Sequence, residues 1–249
     1  LATKIGNVKD VMLPSKGTLH LRLVTTLRSK DFGLQVQVRV FLKENKSKIL
    51  HPLMKKICFA TNNLNKIVEV QQLIGNQIAL VSLEQIGCSI ELPETKDTIP
   101  DNSAQKAEYV WENFGVACFA DDSGLEVEAL GGAPGVFSAR YAGVPKNDMA
   151  NIQLLLQNLT NQTNRKARFR TCITLVTKHG KWQFEGIVQG LITQELRGNN
   201  GFGYDPIFVP DGYEQTFAEM DIQQKNKISH RAIAVKKLVD FLQKKPNLL

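Results

Sequence analysis

The sequence predicts an α/β fold, on three observations. Short apolar runs of strand length, such as residues 57–60 and 116–120, alternate with stretches whose apolar residues recur at helical spacing. A polar loop joins the first run to the first such stretch, the strand–loop–helix junction from which α/β sheets are built. Two longer segments, residues 166–178 and 181–192, flank His179-Gly180 as the paired strands of a hairpin.

Taken in order, the strand at 57–60 leads through Thr61-Asn62-Asn63-Leu64-Asn65-Lys66 into a helix marked by Ile67, Val70, Leu73 and Ile74. Residues 78–83 read as the next strand. An acidic, proline-bearing loop from Glu91 to Asn102 then delivers carboxylates to a helix whose apolar stripe is Ala104, Ala107, Val110, Trp111 and Phe114, with Asp101 or Asn102 as its cap. Residues 116–120 form a strand that ends at Asp121-Asp122, and Ser123-Gly124 turns the chain. Residues 125–130 alternate as a half-buried strand, and the glycines and proline of 131–135 make an irregular loop presenting Arg140 and Tyr141. Asp148 caps a helix over Met149, Ile152, Leu155, Leu156 and Leu159. After the hairpin, Thr216-Phe-Ala-Glu219 is a capping box opening a short helix, and Ser229 caps the last helix, with core face Ala234, Leu238, Phe241 and Leu242.

Charge divides the chain in two. Residues 1–53 hold ten Lys/Arg against three acids, whereas the remaining 196 residues carry 21 basic and 21 acidic side chains, so the net +7 belongs to the first segment alone. A neutral body excludes a duplex-binding surface on the folded domain, and no nucleic-acid partner is expected. No apolar run approaches the ~20 residues that span a bilayer, and no leader with a cleavage site opens the chain, so a cytoplasmic protein with no membrane partner is expected. Cys58, Cys88, Cys118 and Cys172 lie singly in or beside apolar segments and read as buried thiols. Residues 1–53, with one alternating stretch at 34–41, read as a basic extension outside the fold, and Met54 as the start of the main domain, 54–249.

Four stretches carry chemistry. The Asp121-Asp122 pair at a strand edge must be satisfied by a hard cation, or by an Asx turn or helix cap. The Thr61–Lys66 loop, at a helix N-terminus with a lysine reaching inward, suits an anion, and the missing glycines rule out a Walker loop. In Gly201-Phe202-Gly203-Tyr204-Asp205-Pro206, flanking glycines leave one aromatic face open to a nucleobase, or close a loop over a core ring, while Asp205 before proline is held extended. His230 and Arg231 put cations on the first turn of the last helix, against its dipole, which makes sense beside an anion or a base carbonyl.

Thr61-Asn-Asn-x-x-Lys66, the Glu94 loop, Ala120-Asp-Asp-Ser-Gly-Leu-Glu-Val, Gly131-Gly-Ala-Pro-Gly, Ser138-Ala-Arg-Tyr, Gly201-Phe-Gly-Tyr-Asp-Pro and Ser229-His-Arg together, in this order, resemble the inosine triphosphate pyrophosphatase family. The resemblance runs from Met54 to the last helix. It implies an elongated central mixed sheet flanked by helices, two lobes with the active-site cleft between them, and a homodimer. It further implies Mg²⁺-dependent hydrolysis of inosine, deoxyinosine and xanthosine triphosphates (ITP, dITP, XTP) to the monophosphate and pyrophosphate. By motif, Asp122 corresponds to the proton acceptor and metal ligand and Glu94 to the second metal carboxylate. Thr61, Asn62, Asn63, Lys66, Ser123, Lys225 and Arg231 correspond to phosphate and substrate contacts, and Phe202, Gly203, Tyr204, Asp205 and His230 to the base-side pocket. Asp101-Asn102 departs mildly from the Glu-Asn of many relatives.

Overall fold

The computed structural model describes residues 9–11, 21–29, 34–42, 55–76 and 78–249. The chain divides into two compact units, Leu1–Leu53 and Met54–Leu249. Within the first, β1 (Lys9–Val11), β2 (Leu21–Ser29) and β3 (Leu34–Leu42) pair antiparallel in that order. β3 is the strand expected from the alternation at 34–41. Met54 lies outside the described residues.

The second unit is built on a six-stranded sheet from β4 (Lys55–Phe59), β5 (Ile78–Val81), β6 (Cys118–Val127), β7 (Lys166–Thr177), β8 (Gly180–Ile192) and β9 (Phe208–Pro210). Their order across the sheet is β5-β4-β6-β7-β8-β9. β4 runs parallel to β5 and β6 because helices make those crossovers, and the remaining pairs are antiparallel. The expected mixed sheet is therefore present, and the 12- and 13-residue strands β7 and β8 give it its length.

The helices are α1 (Leu64–Ile74), α2 (Ile99–Phe114), α3 (Asp148–Asn158), α4 (Ile222–Ile228) and α5 (His230–Lys244). Strand alternation sorts the core between two sheet faces. Phe59 and Phe119, stacked at 4.6 Å between centroids, pack with α1 and α5, while Cys58, Ala60, Cys118 and Ala120 pack under α2. A separate core at the far end joins Leu125, Val127, Phe169, Phe208 and Phe217 to α3. These cores are the two lobes, and β6 runs from one to the other. All four cysteines are free and buried. Among the described residues, no helix is long and apolar enough to cross a membrane.

Several local expectations are corrected. β6 does not end at Asp121; it continues through Ser123-Gly124 to Val127 as one strand paired with β7. Gly124 serves a close approach inside the protein, since a Cβ there would stand 2.3 Å from the carbonyl oxygen of Gly135. Thr98, not Asp101 or Asn102, caps α2: its Oγ1 accepts from Asp101 N at 3.2 Å and its hydroxyl donates to Asp101 Oδ2 at 2.6 Å. Asn147 rather than Asp148 caps α3, accepting from Ala150 N. The Thr216–Glu219 box forms, with bonds of 2.7 and 3.2 Å, but encloses a turn, and α4 starts later under an Asp221 cap. The expected hairpin forms with its turn at 178–179, one residue before His179-Gly180, and the Ser229 cap is as expected, accepting from Ala232 N. Gly186 lets α5 lie on β8, because a Cβ there would stand 1.9 Å from the His230 carbonyl oxygen.

Candidate active site

A cleft of about 470 Å³ opens where β4 and β6 leave the first lobe. Thr61, Asn62, Asn63, Lys66, Glu94, Asp122, Ser123, Phe202, Gly203, Tyr204 and Arg231 all line it, so eleven of the residues singled out by sequence converge on one space. Asp205, Lys225 and His230 do not line it.

The two aspartates act on opposite faces of β6, because neighbours in a strand point apart. Asp121 faces α1 and α5. There it accepts from Lys66 Nζ at 2.9 Å, Arg231 Nε at 3.2 Å and the Ser123 hydroxyl at 3.3 Å. Burial pushes its pKa up, but Lys66 and Arg231 more than offset this and hold it well below the usual carboxylate range. Asp121 is thus an ionised anchor for two cleft cations.

Asp122 faces α2. Lys106 Nζ lies 3.5 Å from Asp122 Oδ1 and 2.5 Å from Glu94 Oε1, so both carboxylates meet at one ammonium. Burial raises the Asp122 pKa above its ordinary value against the pull of Lys106 and Lys66. Glu94 is held low, burial being outweighed chiefly by Lys106. Asp122 Oδ2 is buried with no hydrogen-bond partner. Buried carboxylate oxygens are ordinarily satisfied, and an orphan beside a second carboxylate suits a hard divalent cation. Among the described residues no group of three or more His, Cys, Asp or Glu could hold a metal. Two carboxylates with the rest of the shell left to water and phosphate oxygens is the donor set Mg²⁺ accepts.

The Glu94 loop is fastened from below. Asn102, on the buried face of α2, accepts from Lys96 N at 2.8 Å and donates to Lys96 O at 3.0 Å, and Gln105 accepts from Thr95 N at 2.9 Å. Arg140 approaches from the 135–140 turn, its Nη1 3.6 Å from Glu94 Oε2. At the other end, Asn63 caps α1 and takes the amides of Asn65 and Lys66 on its own Oδ1, so these N–H groups are not free for an anion as the loop alone suggested.

Beside the cleft, Asp205 opens a short 3-10 turn, Asp205–Ile207, instead of an extended segment. Its carboxylate is fixed by the Phe202 amide at 2.8 Å and Lys225 Nζ at 2.7 Å. A Cβ at Gly201 would stand 2.1 Å from Asp205 Oδ2, which is why glycine precedes Phe202. Lys225 and Arg231 lie 5.0 and 5.6 Å from the Phe202 ring centroid, within cation–π reach of that ring. His230 stacks on Phe169 at 4.6 Å, with both ring nitrogens buried and unpartnered. Burial, reinforced by Arg231 and Lys225, lowers its pKa well below the ordinary value, so its ring is neutral.

Among the residues that hold the cleft's carboxylates and cations in place, the sequence reading missed Lys106 and Glu69. Glu69 on α1 accepts from Lys225 Nζ at 2.7 Å and from Arg231 Nη1. Each lies on the buried stripe of its helix, and a charge on such a stripe was the available signal.

Residues 57–241 match a family model described as the Ham1 family. The chain is 52% identical over 190 residues to a dITP/XTP pyrophosphatase of Porphyromonas gingivalis, covering 76% of this chain and 98% of that one. It is 51% identical over 189 residues to a dITP/XTP pyrophosphatase of Christiangramia forsetii, covering 76% and 100%. The solved structure of the Staphylococcus aureus Ham1 protein is similar with a TM-score of 0.72 at 38% identity, covering 77% of this chain and all of that one.

Proposed function

The chain belongs to the Ham1 family, and from that membership we propose that it hydrolyses dITP, ITP and XTP to the nucleoside monophosphate and pyrophosphate. The observation that carries this reading is the convergence of Glu94, Asp122, Lys66, Ser123 and Arg231 on one cleft beside Phe202.

In this reading Asp122 and Glu94 would hold Mg²⁺, which would neutralise phosphate charge. Lys66 and Arg231, held in place by Asp121, orient the polyphosphate, and Ser123 offers its hydroxyl beside them. Asp122 takes a proton from the attacking water. The remaining hydroxide bonds to the α-phosphorus, the bond from that phosphorus to the bridging oxygen breaks, and pyrophosphate leaves with the electron pair. Burial makes Asp122 a better base than an exposed aspartate, while positioning and fixed charge supply most of the acceleration.

Phe202, backed by two cations, gives the base a stacking face, with Gly203 and Tyr204 beside it. Hypoxanthine and xanthine present O6, an acceptor, where adenine presents an amino group. A donor at the start of α5 would therefore meet its partner with the first two and remain unsatisfied against adenine. Asp205, Lys225 and His230 act through this wall, by holding Phe202 and packing behind it. Exposed Phe137, Val144 and Met149, close together in the chain, offer apolar surface for the second copy of a homodimer.

A panel of triphosphates with pyrophosphate detection, with and without Mg²⁺, tests the reading. dITP and XTP should turn over at least ~100-fold faster than ATP, the discrimination open to a site that hydrogen-bonds one distinguishing group. Equal rates for ATP, or full rates in a chelator, would refute it. We further propose that residues 1–53 are dispensable, because the matched family region begins at residue 57 and the chain divides after Leu53. A protein comprising residues 54–249 should retain dITP turnover and melting temperature, and a large loss of either counts against this.

A further inference from the structure

Four cations line the cleft, Lys66, Lys106, Lys146 and Arg231, and four carboxylates line it with them. Such a surface has no net positive charge to offer, yet a triphosphate brings roughly four negative charges. Even with the two charges of a Mg²⁺ counted, about two remain, and a lining cation able to change partner would meet part of that excess.

Three of the cations are committed to buried partners. Lys66 is held by Asp121, Arg231 by Asp121 and Glu69, and Lys106 by Glu94 and Asp122. Taking any of these cations away strands a buried carboxylate, Asp121, Glu69 or Asp122. Lys146 differs. Its Nζ lies 3.2 Å from Glu91 Oε1, and the two side chains are 56% and 82% exposed. An ion pair this exposed contributes little and separates easily.

The backbone that carries Lys146 is nevertheless fixed. The next residue, Asn147, caps α3, and Asp148 Oδ2 accepts from the Gly203 amide at 2.7 Å, tying this corner to the loop that presents Phe202. A flexible cation on a fixed base at the edge of the cleft can therefore turn inward without moving the fold.

We propose that Lys146 is a substrate-binding residue that exchanges Glu91 for the polyphosphate tail of the nucleotide, with Glu91 as the carboxylate against which that tail competes. This deepens the proposed function and rests on it for the identity of the nucleotide, while the ligand chemistry it requires is a chain of linked phosphates.

The opposing roles of the pair make the test sharp. In the full chain, Lys146→Ala should raise the dITP KM and weaken calorimetric binding of inorganic tripolyphosphate by about 5-fold, with a shallower salt dependence of both. Glu91→Gln should do the reverse, tightening both by about 2-fold, because it frees the lysine. Lys146→Arg should recover most of the loss. A strap that merely shapes the cleft predicts that the first two variants shift in the same direction, and that result, or an unchanged KM and tripolyphosphate affinity in Lys146→Ala, would overturn the proposal. Opposite shifts in tripolyphosphate affinity without pyrophosphate release from dITP would leave it standing and refute the substrate reading. Parallel shifts in an enzyme that does hydrolyse dITP would do the opposite.

Discussion

Asp122→Asn lowers dITP turnover by at least ~100-fold, the scale of a lost proton acceptor, while the melting temperature falls by no more than ~3 °C. The two halves of this expectation have separate causes. Asparagine keeps the shape of the side chain but can neither accept the water's proton nor give an orphaned Oδ2 to a cation. Stability is spared because Asp122 is not a stabilising carboxylate. Its folded-state pKa lies above the unfolded value, so the folded state binds its proton more tightly and the side chain's contribution declines as pH rises through that raised pKa. At neutral pH the fold carries the cost of a buried charge, which the amide removes, and Lys106 keeps Glu94 at 2.5 Å. Steady-state pyrophosphate release and calorimetry check the pair. Turnover within tenfold of wild type would remove Asp122 from the chemistry, and a collapsed melting temperature would make it a structural residue.

How far the sequence reveals this site depends on whether chemistry and backbone signals coincide. They coincide in the loops: Thr61–Lys66, the Glu94 segment and Gly201–Tyr204 are unusual in composition, and all three meet at the cleft. They conflict at Asp121–Gly124. Two poor strand formers followed by Ser-Gly resemble a strand end, yet β6 runs on, with Asp121 paired to Lys66 and Arg231 on one face, Asp122 Oδ1 beside Lys106 on the other, and the Gly135 carbonyl in the space of a missing Cβ. Reading that stretch as a turn hid the division of labour between the aspartates, which two-residue alternation makes plain once the strand is continuous. Lys106 and Glu69 escaped for a third reason. A helix stripe is identified by its apolar members, and a single charge among Ser103, Ala107 and Val110, or beside Val70 and Leu73, is easily assigned to the solvent face. Caps were misplaced by one to four residues, since Thr98 and Asn147 compete with nearby aspartates of similar capping strength.

The buried network behind the cleft should be where the fold is most easily broken. Glu69 accepts from Lys225 and Arg231 with its side chain 6% exposed, and these cations have Asp205 and Asp121 as their only other carboxylate partners among the described residues. Glu69→Gln removes one of three anions from a closed set that also includes Lys66, and leaves positive charge uncompensated in a low-dielectric interior. The expected loss is about 3–5 kcal/mol at pH 7, measured by urea unfolding. Acid should erase part of the difference. Burial raises the Glu69 pKa, but Arg231 and Lys225 together hold it below the unfolded value, so its contribution is present above that value and declines as pH falls through the depressed one. Wild-type stability should therefore drop from about pH 4.5 downward more steeply than that of Glu69→Gln, by close to one proton. Glu69→Leu combined with Lys225→Met should not recover that stability, because removing Lys225 strands the buried carboxylate of Asp205, whose one ion-pair partner among the described residues it is. A Glu69→Gln protein within ~1 kcal/mol of wild type would mean that packing of α1 against α5, and not charge, holds this wall.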